Sequence, residues 1–388
     1  MNYQPLPQRL LMGPGPSNVN ARVLQAMALP TIGHLDPAFT VLMDETMELL
    51  RGVFGTRNML TFPVSGTGSA GMEACFVNVL QPGDRVLVGV NGVFGERMCD
   101  VARRGGALVT RIEAPWGSAL DPEAVRRAAK EVRPRVMAFV HAETSTGVLQ
   151  PVEGIAAAAR EVEALLLMDC VTSLGGGAAV QVDEWGVDLA YSGTQKCLSC
   201  PPGLAPVTFG ERALAALDAR TTPVQSWYLD LSMIRRYWTG ERFYHHTAPV
   251  NMLYGLRECL RLIAEEGLER RVERHRRHAE ALWAGLEAMG MRLFVPREVR
   301  LPSLTTVWIP EGAEDVAVRQ ALLQEANLEI GGGLGVVKGK IWRIGLMGET
   351  STPANVLNLL SWLERLFRRS GVKTGSGLEA AQRVLGTE

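Results

Sequence analysis

The sequence predicts an α/β protein built on a mostly parallel sheet with helices on both faces, followed by a smaller α+β unit. Three observations predict it. From residue 60 to about 210, short aliphatic or β-branched runs alternate with helical patterns, the order a parallel sheet requires. The connections between those elements are short. A chain of 388 residues, 47% hydrophobic and 21% charged, also carries enough apolar side chain for a large core, which excludes disorder and collagen-like repeats.

Taken in order, Leu60–Val64 reads as a strand and Gly68–Leu80 as a helix, and Arg85–Val90 with Phe94–Arg104 repeats the pair. Ala107–Ile112 follows as a strand. Asp121-Pro122-Glu123 opens the next helix, an N-cap acid followed by proline at the first helical position. Arg135–Val140, a helix over Glu153–Val162, Leu165–Asp169 and a strand-like Val187–Tyr191 complete the series. Asn251–Ala288 reads as one long helix or a broken pair, with Arg and Glu on its wet face. Beyond it come Arg292–Val295, Leu304–Ile309, a helix over Glu314–Ala326, the glycine-rich Ile330–Gly335, Ile341–Leu346 and a last helix after Thr352-Pro353. From Ser370 onward, Gly371, Gly375 and Gly377 predict a loosely held tail.

A net charge of −1 offers no pull toward nucleic acid or an anionic membrane. Six scattered cysteines lack the dense spacing of a stapled secreted domain and point to a reducing, cytoplasmic setting. Cys197 and Cys200 form one C-x-x-C with no second pair and no close histidine, so no metal site is expected. The longest apolar runs, such as Ala164–Met168, are strand-sized, so neither a signal peptide nor a membrane span is expected. Of 40 basic residues only five are lysine: Lys130, Lys196, Lys338, Lys340 and Lys373. Chemistry that needs a lysine amine has few places to happen.

Gly66-Thr67-Gly68-Ser69-Ala70-Gly71 follows a strand and opens a helix, the context in which backbone N–H groups hold a phosphate. The letters also fit the dinucleotide fingerprint. That site wants an acid at the end of the next strand, and Gly89-Val90-Asn91-Gly92 has none. A tight turn without a ligand would use the same glycines. Asp169 closes an apolar strand, where an acid can hold a protonated ring nitrogen or simply cap a turn. Lys196 follows Tyr191-Ser192-Gly193-Thr194-Gln195, again past a strand end, in a chain that uses arginine nearly everywhere else. Arginine cannot lose its proton and form an imine, so a retained lysine suggests a working amine. Cradle, carboxylate and lysine together are the parts that pyridoxal phosphate requires.

These residues also carry a resemblance. Leu11-Met12-Gly13-Pro14-Gly15-Pro16-Ser17, Gly33-His34-Leu35-Asp36-Pro37, Ser65-Gly66-Thr67-Gly68, Glu143-Thr144-Ser145-Thr146-Gly147, Asp169-Cys170-Val171-Thr172-Ser173, Ser192-Gly193-Thr194-Gln195-Lys196 and Arg343-Ile344-Gly345 stand in order along nearly the whole chain. In these motifs the sequence resembles the class V, fold type I aminotransferases, in the alanine–glyoxylate, serine–pyruvate and serine–glyoxylate branch. The resemblance implies a seven-stranded-type sheet in a large pyridoxal-phosphate domain, 21–255. It also implies an N-terminal segment, 1–20, packing at the active site, a small C-terminal domain, 256–370, and a tail, 371–388.

It further implies residue roles. Lys196 would form the Schiff base and shuttle a proton, and Asp169 would pair with the pyridine nitrogen. Gln195 would contact the phosphate, Thr67 and Gly68 would supply cradle N–H groups, and Thr144 would hydrogen-bond near the ring. Phe94 falls where the family stacks an aromatic on the cofactor. Tyr244 and Thr247 match residues that reach the phosphate from the neighbouring subunit, which implies a homodimer with shared sites. Arg343 matches the arginine that grips the substrate carboxylate with two parallel bonds, and Gly15 falls in the substrate-binding N-terminal motif. Phe94 replaces a common tryptophan, Ser69 an animal histidine, and Cys197 a common alanine. His245 and His246 read as packing or interface residues, and Arg270, Arg271, Arg274, Arg276 and Arg277 as a solvated helix face.

The expected activity is ping-pong transamination between a small neutral amino acid, serine or alanine, and a small 2-oxo acid, glyoxylate or pyruvate. An (S)-ureidoglycine–glyoxylate aminotransferase is the alternative, since it would share the same machinery. A cysteine desulfurase-like lyase is further off, because such enzymes place a histidine where Phe94 stands and carry a reactive loop cysteine.

Overall fold

The computed structural model describes residues 6–386. Seven strands make the central sheet: β1 (Leu60–Ser65), β2 (Arg85–Val90), β3 (Leu108–Glu113), β4 (Val136–Val140), β5 (Leu165–Asp169), β6 (Leu189–Tyr191) and β7 (Leu204–Phe209). Their spatial order is β1-β7-β6-β5-β4-β2-β3. β2 to β6 pair in parallel, whereas β7 runs antiparallel to both β1 and β6. The sheet is therefore mixed, with a single reversed strand. Fully buried runs such as Val136–Val140 and Leu165–Asp169 are what a sheet covered on both faces requires.

Sequence patterning does not reveal β7, because Pro206 interrupts it and proline cannot donate to a ladder. The register explains how it is tolerated. Pro206 lies opposite Pro63 of β1 and turns its carbonyl toward Ser192, whose N–H donates to it at 2.8 Å. A strand residue points its N–H and C=O to the same side, so the two prolines meet where β1 and β7 exchange no hydrogen bond.

The parallel strands end on one edge, and helices restart from it: α1 (Gly68–Val79) after β1 and α2 (Val93–Arg104) after β2. One buried cluster, running in sequence from Val23 to Ile263, packs around this sheet. A second joins Met12 to residues between Ala279 and Leu385. It includes Ile344 of β8 (Ile341–Gly345), which pairs with Leu304–Trp308 and Gly331–Gly332. Leu10–Leu11 adds a short parallel strand against Leu328–Glu329, so the N-terminal segment is tied to this second unit.

Of the two readings of 251–288, the broken pair is the one found: α3 (Val250–Glu266) and α4 (Leu268–Ala288), separated at Gly267 with φ 84°. Three expectations are corrected. Arg292–Val295 forms only a single bridge, Leu293 to Val307. Residues 377–385 are a helix rather than a loose tail, with Ala381 and Leu385 in the second core and the Gly377 and Leu378 N–H groups on the Glu364 carboxylate. Arg271 is 3% exposed, not solvated: it donates to the carbonyls of Gly175 and Cys197 and pairs with Glu266. Among the described residues no helix is long and apolar enough to cross a membrane.

Candidate active site

The glycine-rich turn comes first. Gly66, with φ 155°, swings the chain from β1 into α1, and Thr67 takes the cap position without making a side-chain hydrogen bond to the helix. Asp36 and Asp121 cap their helices in the ordinary way. α1 thus starts with N–H groups left for an anion, at the positive end of the helix.

β5 and β6 supply the next parts. Asp169, the last residue of β5, is buried, accepts a hydrogen bond from the Tyr191 hydroxyl at 2.6 Å and another from the Val171 N–H at 2.9 Å. Burial outweighs those bonds and pushes its carboxyl up to about 7. A cationic partner on its open side would restore the carboxylate. Lys196 follows β6 and is also buried, and its Nζ donates to the Pro14 carbonyl. Burial first, and the charge of Arg343 second, lower its amine to about 8. Such an amine can act as nucleophile and base near neutral pH. Gly15, with φ 106°, packs against it.

A cavity of about 200 Å³ brings Thr67, Gly68, Phe94, Thr144, Asp169, Gln195 and Lys196 together. Gln195 Oε1 is buried there and has no hydrogen-bond partner among the described residues. Arg343, on β8, stands behind Thr144, donating from Nε to the Gly332 carbonyl at 2.7 Å and from Nη1 to the Thr144 carbonyl at 3.2 Å. Tyr244 and Thr247 are exposed and do not line this chain's cavity. His245 and His246 are occupied locally: His245 stacks on Trp227 at 4.4 Å, the two Nδ1 atoms lie 2.8 Å apart, and His246 Nε2 meets Ser65 Oγ at 2.9 Å.

Sequence reasoning missed several wall residues. Arg97 lines the mouth, its guanidinium 4.8 Å from the Phe94 ring centroid and 3.4 Å from Ser69 Oγ. Its place one turn after Phe94 on α2 was the available signal. Tyr191, also in the wall, was overlooked, as was Glu143 behind it, although both stand inside the segments quoted above.

The Aminotransferase class-V family model matches residues 11–351. The chain belongs to the class V aminotransferases. The solved ureidoglycine–glyoxylate aminotransferase of Bacillus subtilis superposes on this aminotransferase with TM-score 0.97 at 45% identity, covering 99% of this chain and 100% of that one. The alanine–glyoxylate aminotransferase of Nostoc sp. gives 0.93 at 52% identity, covering 95% and 97%. An alanine–glyoxylate aminotransferase of Drosophila melanogaster is 40% identical over 376 residues, 95% of each chain. This aminotransferase has the fold type I architecture and depends on pyridoxal phosphate. Its residues fit that group: N–H groups left open at the start of α1, a buried acid at a strand end, and a lysine amine within the same cavity.

Proposed function

We propose that this aminotransferase moves an amino group between a small neutral amino acid, serine or alanine, and a small 2-oxo acid, glyoxylate or pyruvate. The observation that carries the reading is the buried guanidinium of Arg343 close to the reacting amine. Arg343 is close enough to depress Lys196, and its Nη2 makes no hydrogen bond among the described residues. One such fork recognises one carboxylate. Glyoxylate appears in the names of all three relatives above, which supports it as acceptor.

Pyridoxal phosphate, when bound, supplies a ring that accepts the electrons left at Cα. The chain does the rest. The N–H groups of Thr67 and Gly68, with Gln195, would hold the phosphate, Phe94 would stack on the ring and Thr144 would hydrogen-bond beside it. Asp169, held in place by Tyr191, would keep a proton on the ring nitrogen. Lys196 Nζ would move the Cα proton, while Arg343 would orient the substrate and Gly15 leaves Lys196 room to approach.

A second reading, with (S)-ureidoglycine as donor, draws on the Bacillus subtilis relative and on Arg97, whose guanidinium at the cavity mouth could meet a ureido carbonyl. The kcat/KM for serine, alanine and (S)-ureidoglycine, each with glyoxylate, decides between them: turnover of ureidoglycine alone overturns the first. The lyase reading loses support from the cysteines, all six buried. Burial also raises Cys75, Cys99, Cys170, Cys197 and Cys259, which disfavours a thiolate.

The same reading makes the enzyme a cytoplasmic homodimer, with Tyr244 and Thr247 serving the neighbour's phosphate. Exposed Trp227, Phe243 and Tyr244 support it, since large aromatics in water mark an interface. Mixing inactive Lys196→Ala subunits with inactive Tyr244→Ala/Thr247→Ala subunits should restore activity, because one hybrid site is intact. No restoration would count against shared sites.

A further inference from the structure

The start of α2 carries Phe94 and cannot cap itself. Its cap residue is Gly92, and a β-carbon there would lie 2.4 Å from Ser145 Oγ and 2.5 Å from Glu143 Cδ. The cap comes from another element. The Val93 N–H donates to Ser145 Oγ at 2.9 Å and the Phe94 N–H to Glu143 Oε2 at 3.1 Å. Glu143 Oε1 accepts from the Ser145 N–H at 3.0 Å and from Ser145 Oγ at 2.6 Å.

Glu143 is wholly buried, yet it is absent from the cavity wall. Its oxygens are taken up by donors, so it cannot exchange protons with a substrate. What remains is placement. Its neighbour in the same turn does reach the site: Thr144 lines the cavity and accepts a hydrogen bond from Arg343 on its carbonyl. A carboxylate suits the position because every contact is with an N–H or O–H. A carboxamide would turn two hydrogens toward these donors. The positive end of α2 also favours a negative charge there.

We propose that Glu143 is a positioning residue, whose carboxylate docks the start of α2 on the 143–145 turn and thereby sets the Phe94 ring over the cofactor. The proposal rests on the reading of Phe94 as the stacking residue. It is tested with the holoenzyme, by the visible circular dichroism of bound pyridoxal phosphate and the rate at which the cofactor dissociates. The variants are Glu143→Gln, Phe94→Ala and the pair combined.

Glu143→Gln should weaken the dichroic band and speed dissociation roughly five- to tenfold, the scale of one aromatic stack. On top of Phe94→Ala it should add less than about twofold, because residues acting through one another are not additive. The same factor in both backgrounds, or an unchanged band, overturns the proposal. If Glu143→Gln does not fold, Ser145→Ala should move both readouts in the same direction only while Phe94 is present; no movement overturns it too. A wild-type protein that takes up no pyridoxal phosphate would instead overturn the cofactor reading, and the proposal with it.

Discussion

Gly15 lies so close to Lys196 that a β-carbon on it would sit 2.6 Å from the lysine Nζ. Its φ of 106° is also one that L side chains rarely adopt. Gly15→Ala should therefore displace the lysine and strain the turn by about 1–3 kcal/mol. Borohydride trapping of pyridoxal phosphate on Lys196 should fall sharply while the far-ultraviolet spectrum stays unchanged. Full trapping in the variant would show that the segment gives way instead.

The amine pushed down to about 8 sets a pH dependence. At pH 7 roughly one amine in ten is then neutral, against far fewer at an ordinary lysine value. Capture of pyridoxal phosphate by cofactor-free protein should quicken with rising pH up to about 8 and level off above it. Arg343→Gln removes a neighbouring positive charge, so the plateau should move to higher pH. A profile that is the same in both proteins would exclude Arg343 as a cause.

Arg343→Lys keeps the charge and loses the fork. KM for both amino acid and oxo acid should rise about tenfold or more, with a smaller change in kcat. Steady-state kinetics in both directions measure this, and a KM within twofold of wild type would remove Arg343 from carboxylate recognition.

Tyr191→Phe deletes a 2.6 Å hydrogen bond that stabilises the Asp169 carboxylate. Losing it removes one of the contacts that favour the charged acid, so Asp169 depends more on its cationic partner to stay ionised. Turnover should fall about tenfold at neutral pH, and the acidic limb of the profile should shift upward. An unshifted limb would mean that Tyr191 acts only in packing.

His275 gives a stability prediction. Its Nε2 accepts the Gly348 N–H at 2.8 Å, which requires the neutral ring, and burial lowers it to about 3. The unfolded chain binds a proton near 6.5, so this contribution is present above that pH and is lost as pH falls toward 3. The loss is about 1.4 kcal/mol at pH 5.5. Urea midpoints at pH 7.5 and 5.5 should separate less in His275→Gln than in wild type.

What the sequence showed and hid follows from the range of the forces involved. Strands such as Leu165–Asp169 were legible because burial on both faces leaves an unbroken apolar run. β7 was not, since the pairing of Pro206 with Pro63 depends on a neighbour far along the chain. Lys196 and Asp169 could be picked out by residue type at a strand end. Phe94 and Arg343 needed the resemblance. Arg271 looked solvated because helical spacing says nothing about which loop covers that face; Gly175 and Cys197 do. The cap that Glu143 places on α2 joins two elements 49 residues apart, and no local pattern announces it.

The short strand Leu10–Leu11 has a consequence for the order of assembly. Its partner is Leu328–Glu329, and beside it Arg9 hydrogen-bonds Asn327, 318 residues away. Pro14 and Gly15, which hem in the Lys196 amine, lie between that pairing and Ser17, whose N–H and Oγ donate to the Gln195 and Lys196 carbonyls. A chain leaving the ribosome can complete the seven-stranded sheet long before residue 328 exists, and until then Ser17 is the anchor that ties this segment to the lysine's loop. The roof over the amine is thus pinned at both ends, and its second pin is set only when nearly the whole chain has been made.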